Sequence, residues 1–157
     1  MSRLYLIDSN VYIRAFREVA FGAELQAFHR DNLARLVVSA VVATELLVGA
    51  QKPDRERAVL RTLIEPFLTR RRLITPSWST WAFVASIDRG LRRQAANRTR
   101  LEQRSFMHDM LIAATAREIG ATIITENAKE FAVIGRHVDI AFVPPWPATR
   151  LPNEGVE

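Results

Sequence analysis

Residues 108–131, HDMLIAATAREIGATIITENAKEF, carry the pattern that decides the fold. The sequence predicts a helix over Ser105–Ile119 that ends at Gly120, because glycine is the preferred residue where a helix stops. The apolar run Ala121–Thr125 follows directly and predicts a short buried strand. Polar residues then take over at the carboxyl end of that strand. A helix that leads straight into a buried strand is one step of an α/β fold.

The rest of the chain repeats this alternation. Short apolar runs predict strands at Arg3–Ile7, Arg35–Ser39, Arg72–Thr75, Ala121–Thr125 and Asp139–Val143. The segments between them predict helices at Val11–Arg17, Gly22–Leu33, Val41–Ala50, Asp54–Thr69, from Ser77 to about Asn97, and Ser105–Ile119. We therefore expect one α/β domain over residues 1–143, with a mostly parallel sheet of four to five strands. Residues 144–157 hold four of the seven prolines and predict a loosely held extension.

Composition excludes several classes of protein. The 157 residues include no cysteine, which excludes a disulfide scaffold, a cysteine zinc site and a thiol nucleophile. No apolar run reaches 18 residues, and Asp8 interrupts the start too early for a secretory signal, so we expect a cytoplasmic protein without a membrane span. The net charge is +5, and all but two of the 22 basic residues are arginines. Such a surface attracts polyanions, although an arginine-rich composition alone would also produce it.

Three acids lie where a charge is costly. Asp8 directly follows the first predicted strand, Glu45 lies within the apolar helix VVATELLVG, and Asp109 is on the apolar side of the 105–119 helix. Each acid alone is also explained by a helix cap or by an ion pair with an arginine. Gathered in one pocket they would repel one another, and a divalent cation would remove that repulsion. Carboxylate oxygens favour Mg²⁺ or Mn²⁺ over zinc.

Polar residues after the fourth predicted strand could complete such a site. Asn127 could donate a hydrogen bond or offer its carbonyl oxygen. Glu130 could be a fourth metal ligand or an acid behind the ligands. The sequence leaves these roles open, because Thr125, Asn127 and Glu130 also suit a loop or a helix cap.

Three segments in order resemble PIN domains, and more narrowly the VapC-type toxins of type II toxin–antitoxin pairs. They are LIDSNVYI (6–13), VSAVVATELLVGA (38–50) and residues 108–131. The resemblance covers about residues 4–143 and implies a three-layer sandwich with helices on both faces of the sheet. It also implies a ribonuclease that binds Mg²⁺ or Mn²⁺, forms a homodimer and is blocked by an antitoxin protein.

The resemblance assigns roles residue by residue. Asp8, Glu45 and Asp109 match the family's catalytic, metal-binding acids, while Ser9 and Thr125 match hydroxyl positions that line the site. The fourth family acid is often Asp, but the corresponding positions here are Asn127 and Glu130, which puts the fourth ligand in doubt.

The implied reaction is attack of a metal-activated water on an RNA phosphodiester. The candidate substrates are single-stranded RNA and structured RNA, including tRNA. Arg92, Arg93, Arg100 and Arg104 are the candidate phosphate contacts, although any one of them could be a solvated surface residue. Trp78 and Trp81 could stack on bases, or they could belong to a core or a dimer interface. None of the three histidines is expected to act as a general base, since His108 should point about 100° away from Asp109 around the helix.

Two rival interpretations stay open. One is a PIN-like module that binds RNA or protein but cleaves weakly or not at all, which the missing fourth Asp favours. The other is a different magnesium-dependent phosphohydrolase. A haloacid-dehalogenase-type enzyme would need a second aspartate two residues after Asp8, where this chain has Asn10.

Overall fold

The computed structural model describes residues 3–148. Its strands are β1 (Leu4–Ile7), β2 (Leu36–Ser39), β3 (Leu73–Ile74), β4 (Ala121–Ile124) and β5 (Ala141–Val143). Its helices are α1 (Ser9–Arg17), α2 (Val19–Asn32), α3 (Ala40–Gly49), α4 (Pro53–Val59), α5 (Glu65–Thr69), α6 (Trp78–Arg92), α7 (Arg98–Leu101), α8 (Arg104–Ile119) and α9 (Ala128–Ile134). Short 3₁₀ turns at Leu33–Arg35 and Ala95–Asn97 join their neighbours.

The five strands form one parallel sheet in the order β3-β2-β1-β4-β5. The central pair is in register from Leu4 opposite Ala121 to Ile7 opposite Ile124. All four residues of β2 and of β4 are buried, so both faces of the sheet are covered by helices. This confirms the predicted three-layer α/β sandwich.

Several element boundaries differ from the sequence prediction. Helix α2 begins at Val19 rather than at Gly22. The helix predicted over residues 54–69 contains a π-helical turn at Leu60–Ile64, which separates α4 from α5. The long helix predicted to reach Asn97 ends at Arg92, and α9 was not predicted. Local sequence patterns place element ends less well than element centres because caps and tertiary packing decide where a helix stops.

The order in which strands are added to the sheet changes side at β1. From β1 the chain builds outward through β2 and β3, then crosses back to β4 on the other side. In open parallel sheets this switch point, at the carboxyl ends of the strands, is where ligands bind. The backbone N–H of Asp8 donates to the carbonyl of Ile124 (2.9 Å). The hydrogen bonding between β1 and β4 therefore continues to Asp8, the first residue after β1.

Helix α8 is buried along much of its length. Ala113, Ala114 and Ala116 are small buried residues, and Met110 and Ile112 are fully buried with them. The helix ends at Gly120, whose φ of 68° is a left-handed conformation that glycine adopts without strain. Strand β4 therefore begins at Ala121, directly after Gly120.

The first residues of the C-terminal extension are held against the domain, so the expectation of a loose segment is wrong for them. The Trp146 ring stacks on Phe21 and Phe28, with centroid distances of 5.4 and 5.0 Å. Its indole N–H donates to Glu24 Oε2 at 3.0 Å. The rest of the extension, residues 149–157, lies outside the described residues.

Across residues 3–148, no helix combines the length and the apolar character that a membrane crossing requires.

Candidate metal site at the switch point

Asp8 stands at the end of β1, where it is 2% exposed. Its carboxylate caps α1 by accepting from the backbone N–H of Ser9 (2.8 Å), and it also accepts from the Thr125 hydroxyl (2.8 Å). Burial raises the pKa of Asp8 from 3.8 to about 6, with a further rise from the charge of Glu45 and opposition from the hydrogen bonds of Thr125 and Ser9. Helix capping therefore explains part of the role of Asp8, but not its depth of burial.

The loop after β4 is built to hold Thr125 in place. The Thr125 hydroxyl accepts from the backbone N–H of Asn127 (2.9 Å) while it donates to Asp8. The side-chain amide of Asn10 forms two further hydrogen bonds with this loop. Its Nδ2 donates to the Thr125 hydroxyl at 3.4 Å, and its Oδ1 accepts from the backbone N–H of Glu126 at 3.4 Å. Asn127 thus contributes its backbone to this network. Asn10 was not predicted as a site residue; its place beside Asp8 was the available signal.

Glu45 reaches the same region from α3, with its side chain 21% exposed. Its Oε1 lies 3.0 Å from His108 Nδ1 on α8, and its Oε2 is buried with no hydrogen-bond partner among the described residues. The partner is a histidine and not one of the arginines that the sequence offered as an alternative. The sequence did not predict this contact of His108 with Glu45.

Asp109 is the most perturbed acid of the group. Burial raises its pKa from 3.8 to about 8, and the charges of Asp8, Glu45 and Glu130 add to the rise. Within residues 3–148 no arginine or lysine forms an ion pair with Asp109. Asp109 on α8 therefore lies in the electric field of three other carboxyl groups, those of Asp8 after β1, Glu45 on α3 and Glu130 on α9. Within residues 3–148 an arginine pairs with Glu130 alone among these four acids.

Glu130 differs from the other three acids because it pairs with an arginine. Arg100 Nε donates to Glu130 Oε2 at 2.6 Å, and both side chains are 22% exposed. Arg100 is held further by Asn97 Oδ1, which accepts from its Nη1 at 3.3 Å. One predicted phosphate contact and the predicted fourth ligand thus neutralise each other in this structure.

The other predicted RNA contacts lie on the surface. Arg92 pairs with Asp88 on its own helix, while Arg93 and Arg104 are exposed. Trp78 is 82% exposed and Trp81 is 47% exposed, so neither is a core residue.

The residues present suit a hard divalent cation in their chemistry. The donors are carboxylate oxygens, and the unpartnered buried Oε2 of Glu45 is an acceptor that a cation would satisfy. The side chains of residues 3–148 do not contain three acids or histidines already arranged around one point as metal ligands. Binding an ion at this edge therefore requires the carboxyl groups to turn toward one another, which their mutual repulsion opposes until the ion arrives.

A groove of about 380 Å³ opens beside Glu45, between α1, α3 and α4. Its lining is largely apolar and includes Ile13, Phe16 and Leu46, with Arg17 and Arg55 adding positive charge. Phe16 is 58% exposed, which is unusual for a phenylalanine. The groove joins an apolar surface to the acidic edge of the sheet.

Comparison with known proteins identifies the family. Residues 5–136 match the PIN domain. The chain belongs to the PIN domain family. This PIN domain is 26% identical over 133 residues to ribonuclease VapC2 of Rickettsia felis, with 82% of this chain and 90% of the relative covered. It is 27% identical over 134 residues to the tRNA(fMet)-specific endonuclease VapC of Shigella flexneri, with 83% and 92% covered.

Solved structures share the fold of this PIN domain. DNA-bound VapBC from Salmonella typhimurium superposes with a TM-score of 0.66 at 20% identity, covering 91% of this chain and 98% of that chain. VapBC2 from Rickettsia felis bound to a promoter DNA fragment gives a TM-score of 0.61 at 23% identity, covering 92% and 99%.

Proposed function

We propose that this PIN domain is an endoribonuclease that depends on Mg²⁺ or Mn²⁺. The observation that carries the proposal is the carboxyl group of Asp109, whose pKa burial and three neighbouring acids raise to about 8. Within residues 3–148 it has no arginine or lysine partner, and one oxygen of Glu45 is buried without a hydrogen-bond partner. A cluster of strongly perturbed acids is typical of a functional site. The relatives named as ribonucleases give the reaction class.

The metal would be held by Asp8, Glu45 and Asp109, with Glu130 as a fourth ligand once Arg100 releases it. When bound, the metal supplies a water of lowered pKa and neutralises charge on the scissile phosphate. Ser9 and Thr125 hold the Asp8 carboxylate in one orientation, and Asn127 holds Thr125. The raised pKa of Asp109 favours its protonated form below about pH 8, and a bound cation would displace that proton.

RNA would be guided to the site by arginines. The exposed Arg93 and Arg104 are free to contact phosphates, and Arg92 and Arg100 could exchange their acidic partners for phosphate. Single-stranded RNA and tRNA loops are the proposed substrates, since the Shigella relative is named for a tRNA. The site of action would be the cytoplasm.

We further propose that the chain is the toxin of a toxin–antitoxin pair and forms a homodimer. Its structural relatives include several VapBC complexes. The groove beside Glu45 supports this, because a partner lying along Phe16 and Leu46 would end at the acidic site. Cleavage should therefore stop when the antitoxin is added.

The test is cleavage of labelled single-stranded RNA and tRNA by the purified full chain. We expect cleavage with Mg²⁺ or Mn²⁺, none in EDTA, and none by Asp8→Asn, whose fold should remain intact because asparagine can still cap α1. Asp139→Asn is the matched control, since Asp139 is exposed. Cleavage by Asp8→Asn at the wild-type rate would refute the assignment.

A weak or inactive binding module is the second candidate, and the Arg100–Glu130 ion pair favours it because it occupies the fourth acid. Thermal unfolding with and without Mn²⁺ separates the two. A functional site gains stability with the ion by mass action, whereas a module without a site does not.

A further inference from the structure

Among residues 3–148, the carboxylate of Glu45 is hydrogen-bonded by a single side chain, that of His108. His108 Nδ1 lies 3.0 Å from Glu45 Oε1, and the two residues are 63 positions apart on α8 and α3. Because an ionised carboxylate only accepts, the imidazole N–H is the donor. Both side chains are about four-fifths buried, with 19% and 21% of their surface exposed.

The contact divides the two oxygens of Glu45 into different roles. Oε1 is fixed by His108, and Oε2 is buried with no partner in the described part of the chain. Asp8 is fixed more firmly, by the N–H of Ser9 and the hydroxyl of Thr125. Without His108, the long Glu45 side chain would lose its one fixed contact across the helix pair.

We infer that His108 is a positioning residue that holds Glu45 so that its second oxygen is available to the cation. The inference rests on the proposed function. It extends the site by one residue, which would contact Glu45 and not the ion. Hydrogen bonds to metal-binding carboxylates have this orienting role in other metal sites, where their loss weakens metal affinity about 10- to 100-fold.

Two variants separate this role from simple packing. His108→Asn keeps an N–H donor at the same distance from the backbone as Nδ1 but loses the ring. His108→Leu keeps most of the bulk but loses the donor. We expect His108→Leu to weaken Mn²⁺ binding about 10-fold or more and His108→Asn to stay within about threefold of wild type. His137→Leu is the matched control, since His137 is exposed.

Mn²⁺ affinity is measured by isothermal titration calorimetry of the full chain, with circular dichroism to verify that each variant is folded. Wild-type Mn²⁺ affinity in His108→Leu would overturn the inference, whatever the affinity of His108→Asn. If both variants bind weakly, the same changes in a Glu45→Gln background decide. No further loss there supports the inference, and an equal further loss overturns it.

Failure of the proposed function gives a different result from failure of the inference. A wild-type protein that binds no Mn²⁺ and cleaves no RNA would refute the proposed function, and with it the reason to assign His108 this role. A wild-type protein that does both, with His108→Leu indistinguishable from it, would refute the inference alone.

Discussion

The raised pKa of Asp109 predicts that this buried carboxyl destabilises the metal-free protein, and increasingly so as pH rises from about 4 to 8. In Asp109→Asn a neutral amide of the same shape replaces the carboxyl. The folded protein holds the Asp109 proton up to about pH 8, whereas the unfolded chain loses it near 3.8. Between those values the native state binds more protons than the unfolded state, so wild-type stability falls as pH rises.

The size of the effect follows from the shift. Four pH units correspond to about 6 kcal/mol above pH 8, and the part already lost at pH 7 is about 4 kcal/mol. Asp109 is partly exposed, and water reaching its carboxyl reduces this, so we expect about 2–4 kcal/mol of stabilisation at pH 7.5. For a chain of this length that raises Tm by about 5–15 °C.

The assay is thermal and urea unfolding of both proteins in EDTA from pH 4 to pH 8.5. The stability difference should be small at pH 4 and widen toward pH 8. Mn²⁺ should narrow it, because only the wild type gains stability from the ion. Asp139→Asn should show no such dependence. An Asp109→Asn protein that is less stable than wild type at pH 8, or a difference that does not change with pH, would refute the reasoning.

Three further changes test single contacts. Thr125→Val removes the hydroxyl that donates to Asp8, so it should raise the pKa of Asp8 further. It should also lower the free energy of unfolding by about 1–2 kcal/mol, measured by urea unfolding, and an unchanged free energy would contradict this. Arg100→Gln frees Glu130, so calorimetry should show tighter Mn²⁺ binding, and unchanged or weaker binding would argue against Glu130 as a ligand. Trp146→Ala should lower stability by about 2–4 kcal/mol in a thermal melt while leaving RNA cleavage intact; a Tm equal to wild type would show that the extension is not held.

The sequence was enough to predict the sheet because its signals are local. Gly120 separates a small-residue helix from an apolar strand, and the same alternation recurs along the chain. The acids at residues 8, 45 and 109 were predictable for a related reason: a charge in an apolar segment requires a specific explanation. In the structure the charges of Asp8, Glu45 and Glu130 all raise the pKa of Asp109, although no three acids or histidines of residues 3–148 surround one point.

What the sequence could not predict depends on how helices pack. The 100° rotation per residue of an α-helix predicted the direction of His108 relative to Asp109. It could not predict that α3 would place Glu45 beside His108. The pairing of Arg100 with Glu130 crosses 30 residues, and any of 20 arginines could have been the partner. Trp146 looked like part of a loose tail because its contacts are on α2, more than 110 positions earlier.

The most direct test of the central claim is the position of a bound ion. A crystal of the wild-type chain soaked in Mn²⁺ gives an anomalous signal that locates the metal independently of the protein atoms. We expect one strong peak at the carboxyl end of β1, about 2.0–2.4 Å from an oxygen of each of Asp8, Glu45 and Asp109. A crystal in which Mn²⁺ fully occupies a different site, while the carboxyls of Asp8, Glu45 and Asp109 remain apart, would contradict the account.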